Sequence, residues 1–302
     1  MSNLVELLVG RELPMDLREG VKFYAECAQG TVRAAGSRSG TVAIWSGDGP
    51  PAYMNLQPLK RKKRSEAELQ GLWLSETGDI LYAATSVDLL AVNTSTRMLA
   101  WDYQQKRQWG FLASIPQGGF LGKGDILTLL YSSGEEIQID RHSRVLRQTD
   151  SGYSPRLVAK SAQSDRVFGS DGHAVWVWDA VAGFESRELM IRKPCYSLTL
   201  SGDGRQLAMR SLNEVSIFDT ETFDVLGQFT VDPGLPQLAL DSSGNQLAHM
   251  TGPRIVFRSV DGEVTGAYDA GADFPISVHS SVSGQLIAGL RGGLAQSLAW
   301  PA

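Results

Sequence analysis

The residues that most often carry out chemistry are few in this 302-residue chain, and none of them falls at a catalytic spacing. The sequence contains no HExxH, CxxC or GxSxG motif. Gly122-Lys123-Gly124 comes nearest to a phosphate-binding loop, but position 117 is Gln, and Gly124 stands where such a loop has the Ser or Thr that holds Mg²⁺. We therefore interpret it as a turn. The four histidines occupy unrelated positions: His142, His173, His249 and His279. These residues predict no catalytic, cofactor or metal site.

The two cysteines, Cys27 and Cys195, are far apart in the sequence and are predicted to be buried thiols, with a disulfide or a metal pair as the alternative. The N-terminus lacks the basic start and the apolar run of a signal peptide, and no apolar stretch reaches the ~18 residues that a membrane helix needs. A net charge of −5 disfavours nucleic acid as a partner. We expect a soluble, cytoplasmic protein that does not bind membranes.

The clearest candidate for a binding site is a run of five cations, and a second segment mixes cations with aromatic residues. The candidate partner-binding residues are Lys60, Arg61, Lys62, Lys63 and Arg64 in the run, and Tyr103, Lys106, Arg107 and Trp109 in the second segment. Clustered cations favour docking of an acidic protein surface, because they speed encounter and set orientation, and Tyr103 and Trp109 would be its exposed aromatic anchors. The alternative is a solvated loop.

These segments connect the units of an internal repeat of about 42 residues that runs through nearly the whole chain. Its equivalent apolar positions are Trp45, Val92, Ile139, Trp178, Phe218 and Phe257, with steps of 47, 47, 39, 40 and 39 residues. A repeat of this length indicates stacked supersecondary units, none of which can bury its apolar faces alone. We therefore predict one domain over residues 1–302.

A second marker, a Ser/Asp cluster that ends in Gly, recurs with the same period. Its glycines are Gly78, Gly204, Gly244 and Gly284. Gly accepts a positive φ without steric cost, so the cluster predicts a tight hairpin turn between apolar strands. The fifth unit is predicted to contain four strands: a (Tyr196–Leu200), b (Gln206–Arg210), c (Glu214–Asp219) and d (Val225–Phe229).

Four-stranded antiparallel meanders that repeat around an axis are the blades of a β-propeller, and the sequence supplies seven units. The last unit has only three strands of its own, in Ile276–His279, Gln285–Leu290 and Leu294–Trp300. We predict that the N-terminal strand 4–9 becomes its fourth strand and closes the ring, because an open ring would leave unpaired backbone groups at the edge of the sheet.

The chain resembles the WD40-like seven-bladed propellers, most clearly at Trp178-Asp179 and more loosely at Phe218-Asp219 and Ile139-Asp140. The resemblance covers the period and strand pattern of nearly the whole chain. The Gly-His dipeptide that opens a typical repeat of that family is missing from its position in every unit, so the hydrogen-bonded tetrad built on that His is not expected here. The resemblance implies an all-β propeller that works as a scaffold for protein–protein interaction.

In a propeller, the d-to-a connections and the b-to-c turns emerge on the same face, so we expect the cationic segments to share a face with Arg38, Arg210 and Arg291. This arrangement predicts a basic sector over the first two blades, opposite acidic or neutral connections. The best-supported function is a non-catalytic adaptor that binds one or more proteins with acidic surfaces, without a small-molecule substrate. The alternative is a lactonase- or esterase-like hydrolase with a metal in the central channel. His279 is the candidate residue there, and a structural histidine is the other interpretation of it.

Overall fold

The computed structural model of the chain describes residues 5–6, 20–47, 49–56, 68–86, 88–103, 116–150, 155–161, 164–179, 183–293 and 295–301. The described residues form seven four-stranded antiparallel sheets, so the fold class is the predicted one, an all-β seven-bladed β-propeller. The sheets are called blades 1 to 7 in chain order. They belong to two compact units, a three-blade unit in residues 8–154 and a four-blade unit in residues 1–7 and 155–302.

The three-blade unit contains blades 1 to 3, and in each blade the strands follow one another in chain order. The strands of blade 1 are β2 (Phe23–Glu26), β3 (Val32–Gly36), β4 (Thr41–Ser46) and β5 (Ala52–Asn55). Those of blade 2 are β6 (Leu69–Leu74), β7 (Ile80–Thr85), β8 (Leu89–Asn93) and β9 (Leu99–Tyr103). Those of blade 3 are β10 (Pro116–Leu121), β11 (Leu127–Tyr131), β12 (Glu135–Ile139) and β13 (Val145–Asp150). The Gly122-Lys123-Gly124 segment is a turn, as predicted, and overlaps a 3-10 turn at Lys123–Asp125.

The four-blade unit contains blades 4 to 7. The strands of blade 4 are β14 (Leu157–Lys160), β15 (Arg166–Ser170), β16 (Val175–Asp179) and β17 (Gly183–Ile191). Those of blade 5 are β18 (Ser197–Leu200), β19 (Gln206–Arg210), β20 (Glu214–Asp219) and β21 (Val225–Thr230). Those of blade 6 are β22 (Leu238–Leu240), β23 (Gln246–Thr251), β24 (Arg254–Ser259) and β25 (Val264–Asp269). Those of blade 7 are β26 (Pro275–Ser280), β27 (Leu286–Leu290), β28 (Ala295–Leu298) and β1 (Val5–Glu6).

The seventh blade takes its fourth strand from the N-terminal segment. The short strand β1 runs antiparallel to β28, with Val5 opposite Ser297 and Glu6 opposite Gln296. The rest of the predicted strand 4–9 lies outside the described residues. Strand β28 is therefore not an edge over this stretch, because its backbone is paired on both sides, with β27 and with β1.

Within each unit the core consists of apolar layers between neighbouring blades, and this explains the continuous apolar runs in the third strands. In β20, Phe218 packs into the layer between blades 4 and 5, whereas the adjacent Ile217 packs into the layer between blades 5 and 6. Successive side chains of a strand point to opposite faces, so a strand that is covered on both faces needs apolar residues at consecutive positions. The predicted marker positions are buried as a set: Trp45, Val92, Ile139, Trp178, Phe218 and Phe257.

The predicted glycine turns join strands a and b. Gly78, Gly204, Gly244 and Gly284 have φ of 78°, 74°, 82° and 78°. Each donates its N–H to the carbonyl three residues earlier, as Gly204 does to Ser201 at 3.0 Å. The hydroxyl of Ser201 also accepts the N–H of Gln206 at 3.0 Å. The Ser/Asp cluster thus satisfies backbone donors of the turn, which is the physical reason for its recurrence.

The acidic residue that ends strand c organises the c-to-d hairpin. Asp219 Oδ1 accepts the backbone N–H groups of Glu221 and Thr222, both at 2.8 Å. Asp140 accepts those of His142 and Arg144 in the same way. Hydrogen bonds from the N–H groups of Thr222 and Glu221 lower the pKa of Asp219, although slight burial opposes them. In these two described hairpins, the acidic residue at the end of strand c therefore stabilises the local turn.

In the described c-to-d hairpins of blades 2, 3, 5 and 6 one residue has a positive φ, and in blades 2, 3 and 5 it is not glycine. The φ values are 59° at Arg97, 67° at Ser143 and 62° at Phe223, against 88° at the equivalent Gly262 of blade 6. A side chain in this region is strained by contact with its own backbone. The repeat keeps this geometry even where the residue disfavours it.

Replacing Arg97 by Gly is expected to raise the free energy of unfolding by about 0.5–1 kcal/mol, because relief of left-handed strain exceeds the extra chain entropy of Gly. The measurement is the urea unfolding midpoint. Thr96→Gly, one residue earlier and outside the positive-φ position, is the control and should destabilise the protein. A lower midpoint for Arg97→Gly would contradict the expected strain.

Blades 2 and 3 are linked by a polar cluster as well as by their apolar layer. Arg141 Nη2 contacts Asp79 Oδ2 at 2.6 Å, and its Nη1 lies 3.6 Å from Asp125 Oδ2. The Trp101 indole N–H donates to the carbonyl of Arg141 at 2.8 Å. Burial acts against ionisation of Asp79, but hydrogen bonds from Thr77, Ser75 and Arg141 and the Arg141 charge lower its pKa. The cluster thereby joins the a-to-b turns of blades 2 and 3 to the c-to-d hairpin of blade 3.

Candidate functional site

Most of the residues predicted to bind a partner lie outside the described part of the chain. These are Lys60, Arg61, Lys62, Lys63, Arg64, Lys106, Arg107 and Trp109. Tyr103 is described and ends β9. Its ring is half-buried and packs against the apolar layer between blades 2 and 3. Burial, together with the nearby charge of Glu135, raises its pKa. The role of Tyr103 as an anchor for a partner stays a prediction.

The three arginines expected near the b-to-c turns occupy different environments. Arg38 pairs with Glu68, with Nη2 2.6 Å from Oε2, and Arg291 is exposed. Arg210, expected on the surface, is only 1% exposed, so that expectation is wrong. The reason is that its side chain extends beneath the connection from blade 5 to blade 6 instead of towards solvent.

The Arg210 guanidinium binds that connection through two backbone carbonyls. Its Nη1 donates to the carbonyl of Leu235 at 2.8 Å, and its Nη2 donates to that of Asp232 at 3.1 Å. Burial lowers the pKa of Arg210. A buried charge is costly unless polar groups surround it. The two carbonyl dipoles supply part of that compensation, and the connection is fixed in return.

The same connection is held at two further points. Val231 is 2% exposed, and its N–H donates to the carbonyl of Asn213 in the b-to-c turn at 2.9 Å. Gly234 passes so close to β23 that a Cβ there would lie 2.4 Å from the carbonyl oxygen of Met250. Only glycine permits this approach without a backbone shift. The loop is therefore preorganised by packing, hydrogen bonds and the absence of a side chain.

Three large apolar side chains project into solvent around Arg210. Tyr196 is 52% exposed, Leu212 is 70% exposed and Leu235 is 46% exposed. The N–H of Tyr196 donates to the carbonyl of Arg210 at 2.8 Å, Leu212 follows Arg210 by two residues, and the carbonyl of Leu235 accepts the Arg210 guanidinium. We call Tyr196, Leu212 and Leu235 the Arg210 surface. Exposed apolar residues on a fixed backbone can act as anchors for another protein.

A second buried polar group lies between blades 5 and 6. His249 is 0% exposed, and its Nε2 accepts a hydrogen bond from Arg258 Nε at 3.2 Å. Arg258 also donates to the carbonyl of Gly262 at 2.6 Å and lies over the ring of Phe229, 5.7 Å from its centroid. Burial, followed by the charges of Arg258 and Arg210, lowers the pKa of His249 to about 4. The imidazole is therefore neutral at physiological pH and is a structural acceptor.

The structure also gives the positions of the cysteines and of His279. Cys27 and Cys195 are free and 1% and 3% exposed, which confirms the prediction of buried thiols. Burial raises the pKa of Cys195 to about 11. His279 lies on β26, the first strand of blade 7. Across the described segments, no three His, Cys, Asp or Glu side chains are grouped so that they could hold a metal ion. Within those same segments, no helix has the length and apolar character needed to cross a bilayer.

Comparison with known proteins adds no assignment. No protein-family model matches the chain, and no curated protein is significantly similar to it. The fold defines the class, an all-β propeller of seven blades. Membership of the WD40 family stays a prediction.

Sequence reasoning missed the Arg210 surface, although one signal was available. Leu212 occupies a short turn that reads Ser-Leu-Asn-Glu, where a polar residue is usual. An apolar residue at a turn cannot be buried by its own hairpin. By contrast, nothing in the spacing of Arg210, Asp232 and Leu235 indicates that their groups meet.

Proposed function

We propose that this protein is a non-catalytic, cytoplasmic protein-interaction module that binds its partners through the d-to-a connections and b-to-c turns. The Arg210 surface is the observation that carries this proposal. Its three apolar side chains are about half or more exposed, and the connection that presents Leu235 is fixed by Arg210, Val231 and Gly234. Burial of exposed apolar side chains against a partner removes them from water, and this favours association.

Rigid presentation matters because the entropy lost when loops become ordered opposes association. Each side chain or loop segment that must be immobilised on binding weakens affinity, and a surface that is ordered beforehand avoids that cost. The connection of residues 231–236 is tied to two blades of the same unit, through Arg210 in blade 5 and Met250 in blade 6. This arrangement suits recognition of another protein by shape.

The cationic segment Lys60–Arg64 is a second proposed element of the interaction. It would steer an acidic partner, since clustered charge raises association rates more than it raises affinity. The two proposed elements therefore make separable contributions. Loss of the apolar anchors should speed dissociation, and loss of the cations should slow association.

Leu212→Asp is expected to weaken partner binding by at least about tenfold, because it places a charge where an apolar anchor must be desolvated. Immobilised wild-type protein and variants would capture proteins from a lysate of the source cells, followed by quantitative mass spectrometry. Partners specific to the wild type should be depleted with Leu212→Asp. The double variant Arg61→Glu, Lys63→Glu should also capture less of these partners. Its loss of capture should be larger at low salt.

The matched control is Val264→Asp, which puts the same charge at a residue 58% exposed on the outer strand of blade 6. This control should retain the partners, and thermal unfolding of all variants should match the wild type. If every specific partner survives both Leu212→Asp and the double charge reversal, neither surface binds proteins and the proposed function is wrong.

A further inference from the structure

We infer that the Arg210 surface binds a peptide segment in which a carboxylate lies beside apolar side chains, with the carboxylate directed towards Arg192. This inference rests on the proposed function and specifies the chemistry of the partner. It follows from the charges on the two sides of the surface.

Cations lie on the blade 4 side of the surface. The N–H of Arg156 donates to the carbonyl of Ser170 at 2.7 Å, and Arg192 directly follows Ile191, which pairs with Val175. Both arginines therefore lie beside the b-to-c turn of blade 4. The N–H of Cys195 donates to the carbonyl of Gly172 in that turn at 3.1 Å. The connection that carries Tyr196 thus begins next to these two arginines.

Two described carboxylates near these arginines, Asp171 and Glu214, make contacts of their own. Asp171 accepts the backbone N–H groups of His173 and Ala174 at 2.8 and 2.9 Å. Glu214 pairs with Lys193, with Oε1 3.3 Å from Nζ. Arg156 and Arg192 are exposed, and no carboxylate of the described segments forms an ion pair with either. Two cations therefore remain available to an incoming acidic group beside the apolar anchors.

The other side of the surface has the opposite charge. Asp232 is exposed on the connection that presents Leu235, and the Arg210 guanidinium binds its backbone carbonyl rather than its carboxylate. A carboxylate of the partner would be repelled there and attracted at Arg192. The surface is therefore directional. The acidic end of a bound segment lies towards blade 4, and its apolar side chains contact Tyr196, Leu212 and Leu235.

Selection from a random 12-residue peptide library displayed on phage, with counter-selection on Leu212→Asp, tests this inference on the full chain. Selected peptides should contain Asp or Glu within a few residues of Leu, Ile or Phe. Measured by fluorescence anisotropy on the synthetic peptides, affinity should fall about tenfold with Leu212→Asp and about three- to tenfold with Arg192→Glu. The loss at Arg192→Glu should shrink at high salt.

Arg205→Glu is the matched control, because Arg205 is exposed at the a-to-b turn, at the opposite end of the blade 5 sheet. It should leave affinity unchanged. A peptide with its acidic residue changed to Lys should bind Arg192→Glu better than it binds the wild type. Peptides that depend on Leu212 but lack acidic residues, or that ignore Arg192→Glu, would overturn the inference and leave the proposed function standing. Failure to select any peptide dependent on Leu212 would count against both.

Discussion

Replacing Trp178 by Ala is expected to lower the free energy of unfolding by about 3–5 kcal/mol, the range for deleting a large buried aromatic side chain. Trp178 is 2% exposed and lies opposite the fully buried Val167 on β15. Its removal would lose apolar burial and leave a cavity beside Gly169 of the same blade. The measurement is urea unfolding of the full chain.

Gly169 lies against the Trp178 ring. A Cβ at Gly169 would lie 2.6 Å from the edge of the Trp178 ring, so only glycine fits beside the indole without a shift of either residue. Gly169→Ala should destabilise the wild type by about 1–3 kcal/mol through overpacking. In a Trp178→Leu background the same change should cost much less, because the smaller side chain leaves space for the methyl group.

A double-mutant cycle isolates this coupling. Gly49→Ala is the control, since an added Cβ there meets only the carbonyl oxygen of Ser46 at 3.5 Å. Its effect should be small and the same in both backgrounds. Additive effects of the Gly169 and Trp178 substitutions would show that the steric complementarity has no energetic role.

Lowering the pH from 7 to 4.5 is expected to destabilise the protein through His249. Burial holds the pKa of His249 at about 4 in the folded state, against about 6.5 for an unperturbed imidazole. The unfolded chain therefore binds a proton that the folded chain excludes. The stability contributed by the neutral imidazole is complete above pH 6.5 and is lost as the pH falls towards 4.

The total effect is about 3 kcal/mol, since one pKa unit corresponds to about 1.4 kcal/mol. His249→Gln keeps an acceptor for Arg258 and removes the titration, so the variant should show a flatter dependence of stability on pH between 7 and 4.5. His142→Gln is the control, because His142 is exposed, and it should behave like the wild type. Identical pH profiles for wild type and His249→Gln would refute the buried, neutral imidazole.

The parts of the fold that sequence analysis predicted are those set by local rules. The a-to-b turn requires a positive φ, which selects Gly204 and its equivalents, and a layer between two blades requires consecutive apolar residues such as Ile217 and Phe218. Both signals repeat with the period of the blade, so each copy supports the others. For this reason the predicted strands of blade 5 agree with the observed ones to within a residue at each end.

The candidate site could not be predicted in the same way, because it depends on contacts between segments that do not repeat. Arg210 reaches the carbonyls of Asp232 and Leu235 across a blade boundary, and Arg141 reaches Asp79 across another. Charge patterning places arginines at turns but does not say whether a long side chain extends into solvent or folds beneath a neighbouring loop. Burial of Arg210 therefore had to be found from the structure.

The pairing of β1 with β28 has a consequence for the order of folding events. It joins residues near the two ends of the sequence, Val5 with Ser297, and therefore has among the largest sequence separations of any strand pair described. Closing so long a loop is entropically unfavourable until the intervening segments are compact. During synthesis β1 is made long before β28 and cannot pair with it until β28 is present. Blade 7 should therefore acquire protection from hydrogen exchange after the other six blades.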